Sequence, residues 1–160
     1  ITIFVMGMLQ YKITSKENLE ELSSIPILGE IPKASFTNPI VVDEAGNDSF
    51  NEMMRLLRAN LLFVMNGSRN KVINMISSVS NEGKTFLTIN LAKSLALLDK
   101  NVLIIELDIR KPKLSKTLNI KNNEGISKYL SGIIGKEELI KPSNIHNNVN
   151  NYVWDNSTQS

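Results

Sequence analysis

The stretch Val72-Ile-Asn-Met-Ile-Ser-Ser-Val-Ser-Asn-Glu-Gly-Lys-Thr85 decides the fold. Its first five residues are a short, mostly apolar run, which predicts a strand over 72–76. A polar loop follows to Gly83. From Lys84 to about Asp99, Leu87, Leu91, Leu95 and Leu98 return at helical spacing and predict a helix with one apolar side. Val102-Leu-Ile-Ile-Glu-Leu107 predicts the next strand. Strand, helix and strand in this order form a βαβ unit, and near-continuous apolar strands suit a parallel sheet covered on both faces. The class is α/β.

The loop itself carries chemistry. Ser78-Val-Ser-Asn-Glu-Gly-Lys-Thr85 matches the nucleotide-loop (P-loop) pattern of Gly, four residues, then Gly-Lys-Ser/Thr, except that Ser78 replaces the first glycine. Backbone N–H groups of such a loop and of the helix that follows point at an anion, and the helix dipole adds to them. Gly83 permits the tight bend, Lys84 would reach the terminal phosphates, and the Thr85 hydroxyl would hold Mg²⁺. The plain alternative is a polar strand–helix turn with an accidental Gly-Lys-Thr. The loop's position between strand and helix argues against it.

A second cluster, Ile104-Ile-Glu-Leu-Asp-Ile-Arg-Lys-Pro112, closes the later strand. In an open parallel sheet, ligands gather beyond the carboxyl ends of the strands. Glu106 and Asp108 are two apart, so on a strand both face the same side. One could act on the water shell of a metal, and the other could accept a proton from an attacking hydroxyl.

Composition limits the rest. The chain has 160 residues, 42% apolar and 21% charged, with 18 basic and 16 acidic side chains and a net charge of +2. That suits one globular domain with some flanking chain and is too balanced for nucleic-acid binding through bulk charge. Without cysteine there is no disulfide framework, thiolate metal site or cysteine nucleophile, and one histidine, His146, makes no multi-histidine site. Carboxylates, lysine, arginine, hydroxyls and backbone amides must carry the chemistry.

Upstream, residues 48–65 repeat Phe50, Met53, Met54, Leu57, Leu61, Leu62 and Met65 at helical spacing, with Gly67 as the stop. Glu52, Arg55 and Arg58 step by three along that helix, within an arc of about 120°, as a charged stripe turned away from the apolar one. Ser15 caps a short helix to Leu22. Ile25-Pro-Ile-Leu-Gly-Glu-Ile-Pro32 is held extended or turned by its prolines, and 33–47 reads as linker. Weak helical signals lie around Ser127–Leu130 and Glu137–Ile140. Residues 144–160 are asparagine-rich, without apolar period, and read as irregular. Ile1–Leu9 is almost wholly apolar but too short to span a bilayer, which takes about 20 residues. Gln10, Tyr11, Lys12 and Lys16 behind it suit the cytoplasmic side of a membrane interface. An ordinary buried strand is the other reading of 1–9.

Together these pieces resemble bacterial tyrosine kinases of the polysaccharide co-polymerase type, over roughly residues 1–146. SSVSNEGKT over 77–85 resembles that family's phosphate loop, and Glu106-Leu-Asp-Ile-Arg-Lys-Pro112 its second acidic motif, usually Asp-x-Asp-x-Arg-x-Pro. Ser131-Gly132 after Tyr129-Leu130 is similar to its Leu-Ser-Gly stretch. Ile25–Pro32 is similar to its juxtamembrane Pro-x-Leu-Gly-x-Ile-Pro, and Glu52-x-x-Arg55-x-x-Arg58 to its oligomerisation motif.

The resemblance implies a P-loop ATPase-like parallel sheet, incomplete here and preceded by a juxtamembrane segment. Residues 1–10 would end a transmembrane helix, 11–47 would be juxtamembrane linker, 48–143 the N-terminal part of the kinase domain, and 144–160 an irregular, frameshifted tail. It implies an ATP- and Mg²⁺-dependent protein-tyrosine (auto)kinase module for exopolysaccharide or capsule polymerisation and export, at the cytoplasmic side of the bacterial plasma membrane. Lys84, Glu106 and Asp108 would be catalytic, and Thr85, Glu106 and Asp108 would serve the metal. Ser78, Ser80, Asn81, Glu82, Gly83, Lys84, Thr85 and Phe86 would hold the nucleotide. Glu52, Arg55 and Arg58 would join copies in a ring attached to the export machinery. No nucleic acid is expected.

Two departures follow. Glu106 stands where the family has aspartate, and one extra methylene moves the carboxylate by about a bond length. The later metal-binding aspartate strand and the tyrosine cluster are not visible: the tyrosines are Tyr11, Tyr129 and Tyr152. Catalysis in this stretch is therefore expected to be incomplete. The tail offers a reason. Codons compatible with Val153–Ser160, read from the second base of the valine codon, can spell Ser-Gly-Thr-Ile-Pro-Pro-Asn-Pro. That resembles the family's continuation, so a frameshift shortly before Val153 is expected. Two rivals stand beside the kinase. A partitioning or septum-positioning ATPase would carry a lysine where this chain has Val79 and would lack the Glu-x-x-Arg-x-x-Arg helix. A nucleotide-binding scaffold of the export complex would bind without phosphoryl transfer.

Overall fold

A computed structural model describes residues 15–32, 36–67, 71–108, 113–120 and 125–152. The expected membrane end at 1–10 and, of the expected frameshifted tail 144–160, residues 153–160 lie outside the described residues. The elements in chain order are α1 (Lys16–Leu22), α2 (Ser49–Val64), α3 (Lys84–Ala96), β1 (Val102–Ile105), α4 (Leu114–Thr117), α5 (Ile126–Leu130), α6 (Lys136–Leu139), β2 (Lys141–Pro142) and β3 (Val149–Tyr152).

Helix α2 starts where its sequence says it should. Asp48 accepts from the N–H groups of Phe50 (2.9 Å) and Asn51 (3.1 Å) at the helix start, and its other oxygen takes the Asn51 side-chain amide. These bonds, the Asn51 side chain foremost, hold the Asp48 carboxyl below its ordinary range. The capped form is therefore stabilised above the usual aspartate value of about 3.9, and that stabilisation is lost as pH falls through the lower folded value. An Asp48→Asn chain should accordingly show a flatter fall of melting temperature below about pH 4 than the parent. Parallel curves in a thermal-melt series would remove Asp48 from the acid response.

Helix α3 is the centre of the packing. Its Leu91 and Leu95 meet Phe50, Met54 and Leu61 of α2, with Val42. Its Ile89, Ala92 and Ala96 meet Ile104 of β1, Leu114 and Leu118 around α4, and Ile145 and Val149. Two apolar clusters thus lie on two sides of one helix. Each large side chain fully buried there contributes about 1.5–3 kcal/mol of hydrophobic stabilisation.

The sheet has the order β1-β3-β2. β1 and β3 are parallel, with Val102 opposite Val149 and Ile105 opposite Tyr152; β2 joins β3 antiparallel. Three expectations change here. First, 72–76 is not a ladder strand: it takes no place in the sheet, and Val72 and Ile76 are 90% and 83% exposed. Its apolar character is real, but a strand exists only through a neighbour that shares its hydrogen bonds, and none pairs with it among the described residues. Second, part of the supposedly irregular 144–160 is β3, pinned by buried Val149. Third, β1 is covered on one face only. Ile104 is buried against α3, whereas Leu103 and Ile105 are 47% and 52% exposed.

The segment read as linker also packs. Val42 is buried in the cluster between α2 and α3, with Ile40 and Val41 beside the two cores. The proline-bounded stretch lies against α2, where Asn60 donates its side-chain amide to the Leu28 carbonyl (2.7 Å).

Candidate functional site

The loop opens α3 as the sequence predicts. Gly83 is its N-cap at φ +91°, in the left-handed region that suits glycine, and Lys84 is the first helical residue. Asn81 also has positive φ, at +70°. Beside the loop lies an open hollow of about 580 Å³, between Met75–Ser78 on one side and Glu82, Gly83, Lys84 and Leu87 on the other. The unpaired 72–76 segment thus still brings its end to the loop, which is what positions the site.

Within the loop, Glu82 acts as an internal anion. Its carboxylate accepts from the Ser78 hydroxyl (3.1 and 3.3 Å) and from the Val79 N–H (3.3 Å). A carboxylate already held by a loop amide marks that amide as an anion donor, and an incoming phosphate competes for it. Lys84 is half-buried at the hollow, and no ion pair among the described residues engages its ammonium. Thr85 is half-buried on the first turn beside it.

Phe86 could serve a nucleotide only through its backbone N–H on the first turn of α3. Its ring stacks on Phe36 at 5.4 Å and tilts against Phe50 at 5.6 Å, so its side chain serves the core under α3. The reason is helical phase: the position after Lys84-Thr85 turns toward α2.

The acidic end is arranged differently from a bare strand pair. β1 stops at Ile105, so Glu106 lies just past its end. Its Oε1 accepts from the N–H groups of Lys113 (2.7 Å) and Leu114 (2.8 Å). The longer glutamate thus reaches the start of α4, seven and eight residues on. Its other oxygen, Oε2, is buried without a hydrogen-bond partner among the described residues. An orphaned carboxylate oxygen needs a donor, and a metal-bound water is one that fits. Asp108 lies just past the strand, exposed. From this end Lys113 sends its ammonium to Asn81 Oδ1 in the loop, joining the two motifs.

The charged stripe on α2 is only partly turned outward. Glu52 is exposed and pairs with Arg55, whose other nitrogen donates to the carbonyls of Glu44 (3.2 Å) and Gly46 (2.6 Å). Arg58 faces α3 instead and donates to the Ser94 carbonyl (2.6 Å). In that last turn the carbonyls of Lys93, Leu95 and Ala96 accept from the backbone amides of 97, 98 and 99. Arg58 thus satisfies the remaining one. Burial, and then the Arg55 charge, lowers the Arg58 pKa.

Two residues went unread in the sequence. Lys113 is one. The other is Asn90, fully buried in α3, whose Oδ1 accepts from the N–H groups of Val41 (2.8 Å) and Val42 (3.0 Å). Its amide donates to the carbonyls of Pro39 and Phe86, both at 2.9 Å. A lone asparagine beside Leu91 on the packed side of the helix was the available signal.

Residues 73–152 match the family model described as the CobQ/CobB/MinD/ParA nucleotide binding domain. A Klebsiella pneumoniae protein of the cps region, assigned as a tyrosine-protein kinase, is 32% identical over 86% of this chain and 21% of its own length. Tyrosine-protein kinase ptk of Acinetobacter johnsonii is 26% identical over 87% of this chain, again 21% of its own length. This chain therefore spans about a fifth of these relatives. The solved kinase domain of the Escherichia coli tyrosine kinase ETK superposes with a TM-score of 0.76 at 26% identity, covering 89% of this chain and 60% of that domain.

Proposed function

Because the chain belongs to the CobQ/CobB/MinD/ParA family of nucleotide-binding domains, we propose that it is the N-terminal part of a bacterial tyrosine-kinase module that uses ATP. The observation that carries this reading is the loop 78–85, opening α3 with Lys84 on the rim of the hollow. Lys84 binds the terminal phosphates, and the amides around Gly83 orient them. Mg²⁺, when bound, neutralises charge on the phosphates; Thr85, Glu106 and Asp108 are the residues that would hold it, directly or through water. Asp108 accepts the proton of the tyrosine hydroxyl, while Glu106 keeps the start of α4 at Lys113 in position. As this stretch covers 60% of the ETK kinase domain, it is proposed to bind nucleotide and to need the remainder of such a domain for transfer.

The wider assignments are proposals of the same kind. The protein regulates exopolysaccharide or capsule polymerisation and export, a reading supported by the cps-region relative. It works on the cytoplasmic face of the bacterial plasma membrane. No helix among the described residues is long and apolar enough to cross a membrane, so the proposed anchor rests on residues 1–10. Copies assemble through Glu52 and Arg55. Replacing both by alanine, which spares the Arg58 bond to α3, should shift the full chain toward monomer in sedimentation velocity. An unchanged oligomer would leave this pair as an ordinary helical ion pair worth about 0.2–0.5 kcal/mol.

The test of function is phosphoryl transfer. Joined to the remaining part of a related kinase domain and supplied with γ-labelled ATP, this chain should place label on tyrosine, and Lys84→Met should remove it. ATP hydrolysis without phosphotyrosine would favour the partitioning-type ATPase, and nucleotide binding without either reaction would favour the scaffold.

A further inference from the structure

One cation reaches the nucleotide loop from a different element. Lys113 stands at the start of α4, 32 positions beyond Asn81 in sequence, and its Nζ donates to Asn81 Oδ1 at 2.5 Å. Its backbone is fixed at two points. Glu106 Oε1 holds the N–H groups of Lys113 and Leu114, and the Leu114 side chain is buried with Ile104 and Leu118. The ammonium is therefore delivered to the loop from an anchored base, with only its own stem free to move.

Its partner there is a neutral amide. The two ion pairs among the described residues are Lys16–Glu20 and Arg55–Glu52, so neither compensates Lys113. An anionic oxygen attracts an ammonium through full charge–charge attraction, which a neutral amide oxygen does not supply. A loop that receives phosphate offers such an oxygen. Lys84 approaches from the head of α3, whereas Lys113 approaches from the acidic end of β1, the side on which Glu106 and Asp108 lie. The phosphoryl group that is to be transferred must lie toward those carboxylates.

We propose, on the nucleotide reading above, that Lys113 is a second phosphate-binding lysine. It exchanges Asn81 for an oxygen of the terminal phosphate when a nucleoside triphosphate fills the loop, and so favours triphosphate over diphosphate.

Binding of a fluorescent non-hydrolysable ATP analogue and of the matching ADP analogue to the full chain tests this. Lys113→Ala should weaken the triphosphate about tenfold, the loss of one charged hydrogen bond, and the diphosphate less than about twofold. Lys113→Arg should restore most of the triphosphate affinity. A residue that merely braced the loop would move both nucleotides together. Equal losses, or an unchanged triphosphate affinity in Lys113→Ala, would overturn the proposal while Lys84→Met still abolishes binding. If the parent chain binds neither analogue, or Lys84→Met binds as well as the parent, the nucleotide reading fails and this proposal with it. Unfolding curves of each variant separate lost contacts from lost structure.

Discussion

Asn90→Ala should lower stability by about 3 kcal/mol or more, the largest effect expected of any single substitution outside the loop. The asparagine is fully buried and makes four hydrogen bonds. Truncation strands the buried N–H of Val42 and takes the partner from the half-buried N–H of Val41 and carbonyl of Pro39 beside α3. Each buried orphan costs about 1–3 kcal/mol. In a domain of this size that corresponds to roughly a 10 °C fall in melting temperature. Asn90→Asp keeps an acceptor for the two amides but loses the donor, and should do comparable harm by placing a charge in the interior. Because Asn90 ties the 39–42 segment to the helix that carries Lys84, the loss should also free that segment to hydrogen exchange. A melting temperature within about 2 °C of the parent would mean the segment is held by its apolar contacts alone.

Lys84→Met should abolish nucleotide binding, reducing affinity by about a hundredfold or more. Methionine keeps the length and apolar stem and removes the charge. The fold should be untouched, since no ion pair among the described residues depends on this ammonium and methionine is a good helix former. Titration of the full chain with a fluorescent nucleotide, alongside circular dichroism, measures both halves. Unchanged affinity would remove the loop from nucleotide binding; lost helicity would make the variant uninformative about contacts, and Lys84→Gln would then replace it with the same expectation.

What the sequence disclosed divides along local and non-local lines. Asp48 ahead of a 3.6-residue apolar rhythm is local chemistry, and α2 begins where it should. Gly83-Lys84-Thr85 is likewise local: a glycine tolerating φ +91° followed by a helix start. Strand pairing is not local. Val72–Ile76 has the composition of a buried strand and lies exposed, whereas Val149-Asn-Asn-Tyr152 has hardly any strand composition and pairs with β1 through one buried valine. Register and neighbours decide such segments, and composition records neither. Side-chain function shows the same limit. Phe86 adjoins the loop in sequence, but helical phase sends its ring into the Phe36–Phe50 cluster. Arg58 shares a stripe with Glu52 on paper and in space caps α3. Lys113 reaches the loop from the start of α4, where Glu106 holds its N–H, and nothing within either motif announces the other.

The central claim is that residues 78–85 are a nucleotide-binding loop, and backbone amide NMR of the isotopically labelled full chain addresses it directly. Adding Mg²⁺-ADP should move the amide signals of Val79 to Thr85 most, with smaller changes at Met75–Ser77 and at Lys113–Leu114, and Lys84→Met should abolish the pattern. Saturable shifts centred elsewhere, or a loop whose amides stay still at millimolar nucleotide, would contradict it.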